Sequence, residues 1–139
     1  MPSNLSEVDH IDRVTTLTFD IFGTVLDLAG SLTPPLKELL EECGASETIH
    51  AGDVWGHWRQ RQRIEQYQDN LLTLGHSGYL AVKRRALLYT LRTLKVDFHK
   101  EQIDEFMKAY QVLTPFQDAL EGLGRLATKY NLVMLSNGE

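Results

Sequence analysis

Two short apolar runs stand near the two ends of the chain, and amphipathic stretches fill the distance between them. The first run, "VTTLTFDIF" at 14–22, is rich in Val, Thr, Ile and Phe. Its outer residues alternate and its end is almost wholly apolar, which predicts a buried strand. It breaks at Gly23-Thr24. The last run, "NLVML" at 131–135, predicts a second strand, which hands Ser136, Asn137 and Gly138 into a loop. Between them, "SLTPPLKELLEECG" at 31–44 predicts a helix, with Thr33 as its cap, Pro34 in its first turn and Gly44 at its end. Residues 51–75 predict a mostly helical segment. Residues 77–96 predict an amphipathic helix with a stripe of Leu80, Ala81, Leu87, Leu88, Leu91 and Leu94. A further helix is expected over 100–113. Residues 114–130 open on a Thr-Pro start signal and set Ala119, Leu120, Leu123 and Leu126 on one face.

A helix that feeds a short apolar strand is half of a parallel sheet unit, in which the strand is buried on both faces. The two strands are therefore expected to be neighbours in one parallel sheet. The helices from 31 to 113 are too many for a single crossover. They predict an inserted helical domain above the carboxyl ends of the strands, where ligands bind in sheets of this kind.

Composition narrows the setting. At 139 residues the chain is long enough for one hydrophobic core, and 42% hydrophobic with 24% charged residues is an ordinary globular balance. No apolar run approaches the roughly 20 residues a bilayer span needs, and "MPSNLSEVDHIDRV" lacks the basic start and apolar run of a secretory signal. A net charge of −5 argues against nucleic acid as a partner. One cysteine, Cys43, allows no intrachain disulfide and suits a reducing cytoplasm. With no base beside it, Cys43 reads as a small buried hydrophobe and not as a nucleophile. Arg61 is expected to pair with Glu65 at i+4, and Lys83-Arg84-Arg85 reads as a wet helix face.

Asp20 is the first candidate for chemistry. It ends an apolar strand and precedes a Gly-Thr turn, and a carboxylate there is costly unless donors meet it. Composition alone would make it a residue that merely begins a turn. The pattern is narrower: "FDIFGTVLD" at 19–27 resembles the first motif of the haloacid dehalogenase superfamily, and "VMLSNG" at 133–138 resembles its second. The two motifs lie far enough apart for the helical cap that one branch inserts. Superfamily phosphatases usually carry a second Asp two positions after the nucleophile, as general acid/base. Here that position is Phe22, which transfers no proton. A halide leaves without one, so Phe22 points to the 2-haloacid dehalogenase-like branch, whose members carry an aromatic residue there. "HWRQRQ" at 57–62 resembles the Trp-Arg-Gln-x-Gln segment of that branch, and Trp55, Trp58, Arg59 and Gln62 share one helical face. Arg63 departs from the apolar residue usual at its position.

The resemblance implies a fold and a mechanism. The fold is α/β: a partial Rossmann-like parallel sheet of about two strands with an inserted helical-bundle cap, helix-dominated overall. Core parts are expected at 12–28 and 114–139 and the cap at 29–113. Asp20 would attack the halogen-bearing carbon of a small 2-haloalkanoic acid, and water would hydrolyse the resulting ester. Thr24 would hold the Asp20 loop. Ser136 would bond the nucleophile or the substrate carboxylate, and Arg59 and Asn137 would receive the halide. Backbone N–H groups at Ile21 and Phe22 would bind the carboxylate. Gln60 and Tyr79 join the substrate-binding set, and Phe22 with Tyr79 keeps the pocket dry. The implied partner is the small haloacid, with no nucleic acid, membrane, cofactor or metal; a homodimer is left open. The superfamily's third motif, a Lys, and its fourth, a polar and acidic cluster, follow the second motif in chain order. The chain is therefore expected to represent the front part of the family's length. Two other functions stand beside the dehalogenase: a superfamily phosphatase, and a non-catalytic helical interaction module.

Overall fold

The computed structural model describes residues 13–72 and 77–136. In chain order the elements are β1 (Thr16–Phe19), α1 (Leu28–Glu42), α2 (Ala51–Leu72), α3 (Tyr79–Thr93), α4 (Lys100–Met107), a 3-10 turn (Lys108–Gln111), α5 (Ala119–Ala127) and β2 (Asn131–Met134). The chain divides into two compact units. Of the described residues, one takes 13–27 together with 115–136, and the other is Leu28–Thr114.

In the first, or strand, unit β1 and β2 pair in parallel, from Thr16 opposite Asn131 to Phe19 opposite Met134. The ladder continues at both ends. Asn131 N–H donates to the Thr15 carbonyl and Leu135 N–H to the Phe19 carbonyl, each at 2.8 Å. The parallel pairing and the helix-dominated α/β class are those expected of a partial Rossmann-like sheet with a helical insertion. Burial is not as expected. Every described residue of the strand unit is half-buried or exposed, and Leu120, Met134 and Leu135 are each more than 60% exposed. One pair of strands and one helix cannot cover both faces of a sheet, so runs that correctly signal strands overstate burial here. The same geometry leaves Leu120 out of the expected α5 stripe. That helix also starts at Ala119, not at the Thr114-Pro115 signal. Pro115 instead bridges Leu26, and Phe116 N–H donates to the Val25 carbonyl at 2.9 Å.

The helical unit has a closed core. α1 begins at Leu28, ahead of the expected Thr33 cap, and carries Pro34 and Pro35 inside it. Each proline removes a ladder donor, at a cost of about 3 kcal/mol. Against this, α1 buries Leu28, Leu32, Leu36, Leu39 and Leu40 at the spacing of one helical face, roughly 1.5–3 kcal/mol for each. The stripe outweighs the punctuation. The Ser31 hydroxyl then accepts the Thr114 N–H at 2.9 Å, tying the two ends of the unit together.

α2 packs along α3, and α1 lies against α2, α4 and the 3-10 turn. On α3 the buried stripe is Val82, Lys83, Ala86, Leu87, Thr90 and Leu91, while Leu80 is exposed. The basic cluster is therefore not a wet face. Arg84 pairs with Asp104 at 2.7 Å. Arg85 reaches buried Asp69 at 2.7 Å and Glu65 at 3.3 Å. Lys83, one turn before Leu87, is buried. Arg61 does pair with Glu65, at 2.6 Å. Asp69 also accepts the Ser77 N–H and hydroxyl, both at 2.7 Å, which clamps the start of α3 to α2. The Ser77 N–H first, then its hydroxyl and Arg85, hold the Asp69 carboxyl below its ordinary range. Cys43 is half-buried; burial and then Glu42 raise its thiol, which keeps it protonated and unreactive. No described helix is long and apolar enough to cross a membrane.

Candidate functional site

The candidate residues fall in both units. In the strand unit, Asp20 follows the last residue of β1 and is exposed. The chain then turns tightly: Val25 and Leu26 N–H both donate to the Ile21 carbonyl, at 3.0 and 2.9 Å, and Gly23 N–H donates to the Leu26 carbonyl at 2.9 Å. Gly23 makes the turn feasible, with φ of 91° in the left-handed region. The turn brings Thr24 back over the strand end, where its hydroxyl donates to Asp20 Oδ2 at 2.9 Å. Ile21 and Phe22, both half-buried, belong to the same turn. Because Phe19 is opposite Met134, the register carries Ser136 to the strand end that holds Asp20. A cavity of about 180 Å³ opens beside it, lined by Asp20, Ile21, Val25, Leu123, Val133 and Met134 among others. Asn137 lies outside the described residues. The strand unit thus gathers Asp20, Thr24, Ile21, Phe22 and Ser136 at one end of a parallel pair.

In the helical unit the Trp-Arg-Gln segment lies on α2. Trp58 and Gln62 are fully buried, Arg59 is half-buried, and Arg59 Nη1 donates to Gln62 Oε1 at 2.9 Å. The guanidinium lies 5.6 Å from the Trp55 ring centroid, and Trp55 meets Trp58 edge-on at 5.6 Å. Tyr79 opens α3 and its ring is 6.2 Å from that of Tyr110. Gln60 does not join this face. It lines a separate cleft of about 200 Å³ with His57, Arg61 and Tyr89, where the Arg61 guanidinium stacks 3.7 Å from the Tyr89 ring centroid. Arg63 is exposed, so the two cations one turn apart do not share the buried face.

Three members of the Arg59 cluster were not read from the sequence as site candidates: Lys83, Gln62 and Tyr110. Lys83 Nζ sits 4.4 Å from the Tyr79 ring centroid. Its amine is pushed down to about 8, first by burial and then by the like charge of Arg59. Trp58 Nε1 donates to the Lys83 carbonyl at 2.9 Å and its ring lies 6.0 Å from Tyr110. Burial, then neighbouring Tyr79, raises the Tyr110 hydroxyl far above the usual phenol range, with Arg59 opposing. The signal for Lys83 was available in its spacing of four from both Tyr79 and Leu87.

Known proteins resemble this chain in sequence and in fold. The (S)-2-haloacid dehalogenase 4A of Burkholderia cepacia is 31% identical over 129 residues, covering 92% of this chain and 52% of that protein. A crystal structure of a dehalogenase matches with a TM-score of 0.72 at 30% identity, over 92% of this chain and 53% of that one. The chain is haloacid-dehalogenase-like in sequence and in fold. The L-2-haloacid dehalogenase of Xanthobacter autotrophicus, solved with chloropropionic acid covalently bound, also matches, with a TM-score of 0.66 at 25% identity over 91% of this chain and 47% of that one. This haloacid-dehalogenase-like chain spans about half the length of the curated relatives it matches. No protein-family model matches it.

Proposed function

We propose that the protein hydrolyses the carbon–halogen bond of small 2-haloalkanoic acids through an ester on Asp20. The observation that carries this reading is the Asp20–Thr24 contact of 2.9 Å at the end of β1, with Phe22 where a phosphatase would place its proton donor. Thr24 occupies Oδ2, which leaves Oδ1 to attack C2 from the side opposite the halogen. The C–O bond forms as the C–halogen bond breaks, and the electron pair departs with the halide. Water then adds to the Asp20 carboxyl carbon and the ester C–O bond there breaks, restoring the carboxylate and freeing a 2-hydroxy acid and a proton. A single displacement at C2 inverts its configuration. Ser136 orients Asp20 or the substrate carboxylate, which the Ile21 and Phe22 N–H groups also bind. Arg59, its guanidinium beside Trp55, and Asn137 receive the halide. Phe22 and Tyr79 exclude water from the displacement, and Gln60 contacts the substrate. No metal or cofactor enters these steps. The single cysteine suits work in the reducing cytoplasm.

The test is halide release from 2-chloropropionate by the protein at its full natural length, beside its Asp20→Asn variant. Release by the wild type and none by the variant, with both folded, is expected. Equal release by both removes Asp20 from the role, and release of phosphate from small esters in place of halide would move the reading to a phosphatase.

A further inference from the structure

The Gln62 amide has two ends of similar shape and opposite hydrogen bonding, an acceptor oxygen and a donor nitrogen. It is 1% exposed, so the protein and not bulk water meets both. At one end Oε1 accepts from Arg59 Nη1 at 2.9 Å. What remains to Gln62 is its N–H donors, and these serve its hydrogen bond to the Tyr110 hydroxyl, which opposes the upward push of burial on that phenol. Arg59 thus donates to Gln62, and Gln62 donates to Tyr110. Turned over, the amide would set its own N–H groups against those of the guanidinium. Tyr110 belongs to the 3-10 turn, and Trp58 and Tyr79 meet its ring edge-on, at 6.0 and 6.2 Å. Packing fixes the phenol, and through Gln62 it reaches Arg59.

Little else directs Arg59. Among the described residues it enters no ion pair. Its stem is long, and the like charge of buried Lys83 repels it. The Trp55 ring, 5.6 Å away, attracts the guanidinium without fixing where its N–H groups point. Gln62 stands three residues on, on the same face of α2, and supplies that direction. We infer that Gln62 is a positioning residue for Arg59, with Tyr110 behind it: the phenol of the 3-10 turn holds the amide, and the amide aims the guanidinium. This rests on the proposed function only for what an aimed guanidinium does, which is to receive the halide.

The experiment is NMR at low temperature on the protein at its full natural length, its arginines labelled with nitrogen-15. Rotation about the guanidinium C–N bonds slows when one Nη is held, which separates the Nη signals; those of Arg59 are the ones lost in Arg59→Lys. Wild type, Gln62→Met and Tyr110→Phe are compared after thermal melts confirm folding, with Gln62→Leu replacing Gln62→Met if the latter does not fold. Separate Arg59 signals are expected in wild type, merged in Gln62→Met and broadened in Tyr110→Phe. Merged signals in wild type, or signals unchanged in both variants, overturn the inference. Halide release from 2-chloropropionate gives a second readout. Gln62→Met is expected to lower kcat/KM about ten- to a hundredfold, and by less than about twofold when Arg59 is already Lys, since no guanidinium is left to aim. Equal losses in the two backgrounds also overturn it, because Gln62 would then act apart from Arg59. A wild type that releases no halide would remove the dehalogenase reading, while the NMR comparison still decides the positioning.

Discussion

The helical unit and the strand unit are made of similar residues and behave as different materials. Leu28–Thr114 buries Trp58, Leu32, Leu36, Leu87, Leu91 and Ile103 completely, and its polar interior is locked by the Asp69 clamp. The strand unit buries none of its described residues, yet it carries the Asp20–Thr24 turn, held by its own hydrogen bonds. Helices close a core against one another, because each presents one apolar stripe to its neighbours. A strand has two faces and two edges to cover. The difference teaches that local hydrogen bonds position Asp20, whereas packing positions Arg59 and Lys83.

Trp58→Ala is the most forceful way to test that contrast. It removes a fully buried side chain and the 2.9 Å bond to the Lys83 carbonyl, and is expected to cost about 3–5 kcal/mol in denaturant unfolding. A loss under about 1 kcal/mol would contradict a closed helical core. Next is Arg85→Ala, which strips the cation from Asp69 but leaves its Ser77 donors, and is expected to lower stability by less than Trp58→Ala does. It also changes the acid limb of the stability curve. Asp69 is held below its ordinary range, so its contribution is complete above the unfolded value of about 3.9 and fades as pH falls through the lower folded one. The variant flattens that limb; an unchanged limb would take Asp69 out of the account. Gly23→Ala meets no atom within 4 Å and strains only a backbone at φ 91°, which predicts a loss of about 1 kcal/mol together with weaker catalysis through the Asp20 turn. Unaltered halide release would show that the turn does not depend on Gly23. Leu120→Ser, at a side chain 69% exposed, should shift stability by less than about 0.5 kcal/mol, and a larger loss would reveal packing in the strand unit.

The sequence disclosed element types and the Asp20 end of the site more fully than element ends and burial. The two strands and five helices of the described residues could be read from apolar runs, helical stripes and helix punctuation. The start of α1 could not, since the Thr33-Pro34 punctuation is locally convincing and the five-leucine stripe that overrides it acts only through tertiary contact. Thr114-Pro115 misled for a related reason: the proline there joins Leu26 in a bridge between distant segments. Asp20, Thr24 and Phe22 were legible because one contiguous motif folds into one turn. Lys83 was not, because a charged residue inside a basic triplet reads as solvated until its neighbours on the stripe are counted. Gln60 shows the converse, since adjacency to Arg59 in sequence puts it on another helical face.

Asp20 as nucleophile is the centre of this account, and isotope transfer tests it most directly. The protein at its full natural length is run for repeated turnovers on 2-chloropropionate in water enriched with oxygen-18, and the Asp20 peptide is weighed by mass spectrometry. Hydrolysis at the aspartyl carbonyl predicts heavy oxygen in the Asp20 carboxylate, from which it passes to product in later turnovers. Heavy oxygen in the product from the first turnover, with an unlabelled Asp20, would mean that water attacks the substrate directly and would contradict the ester.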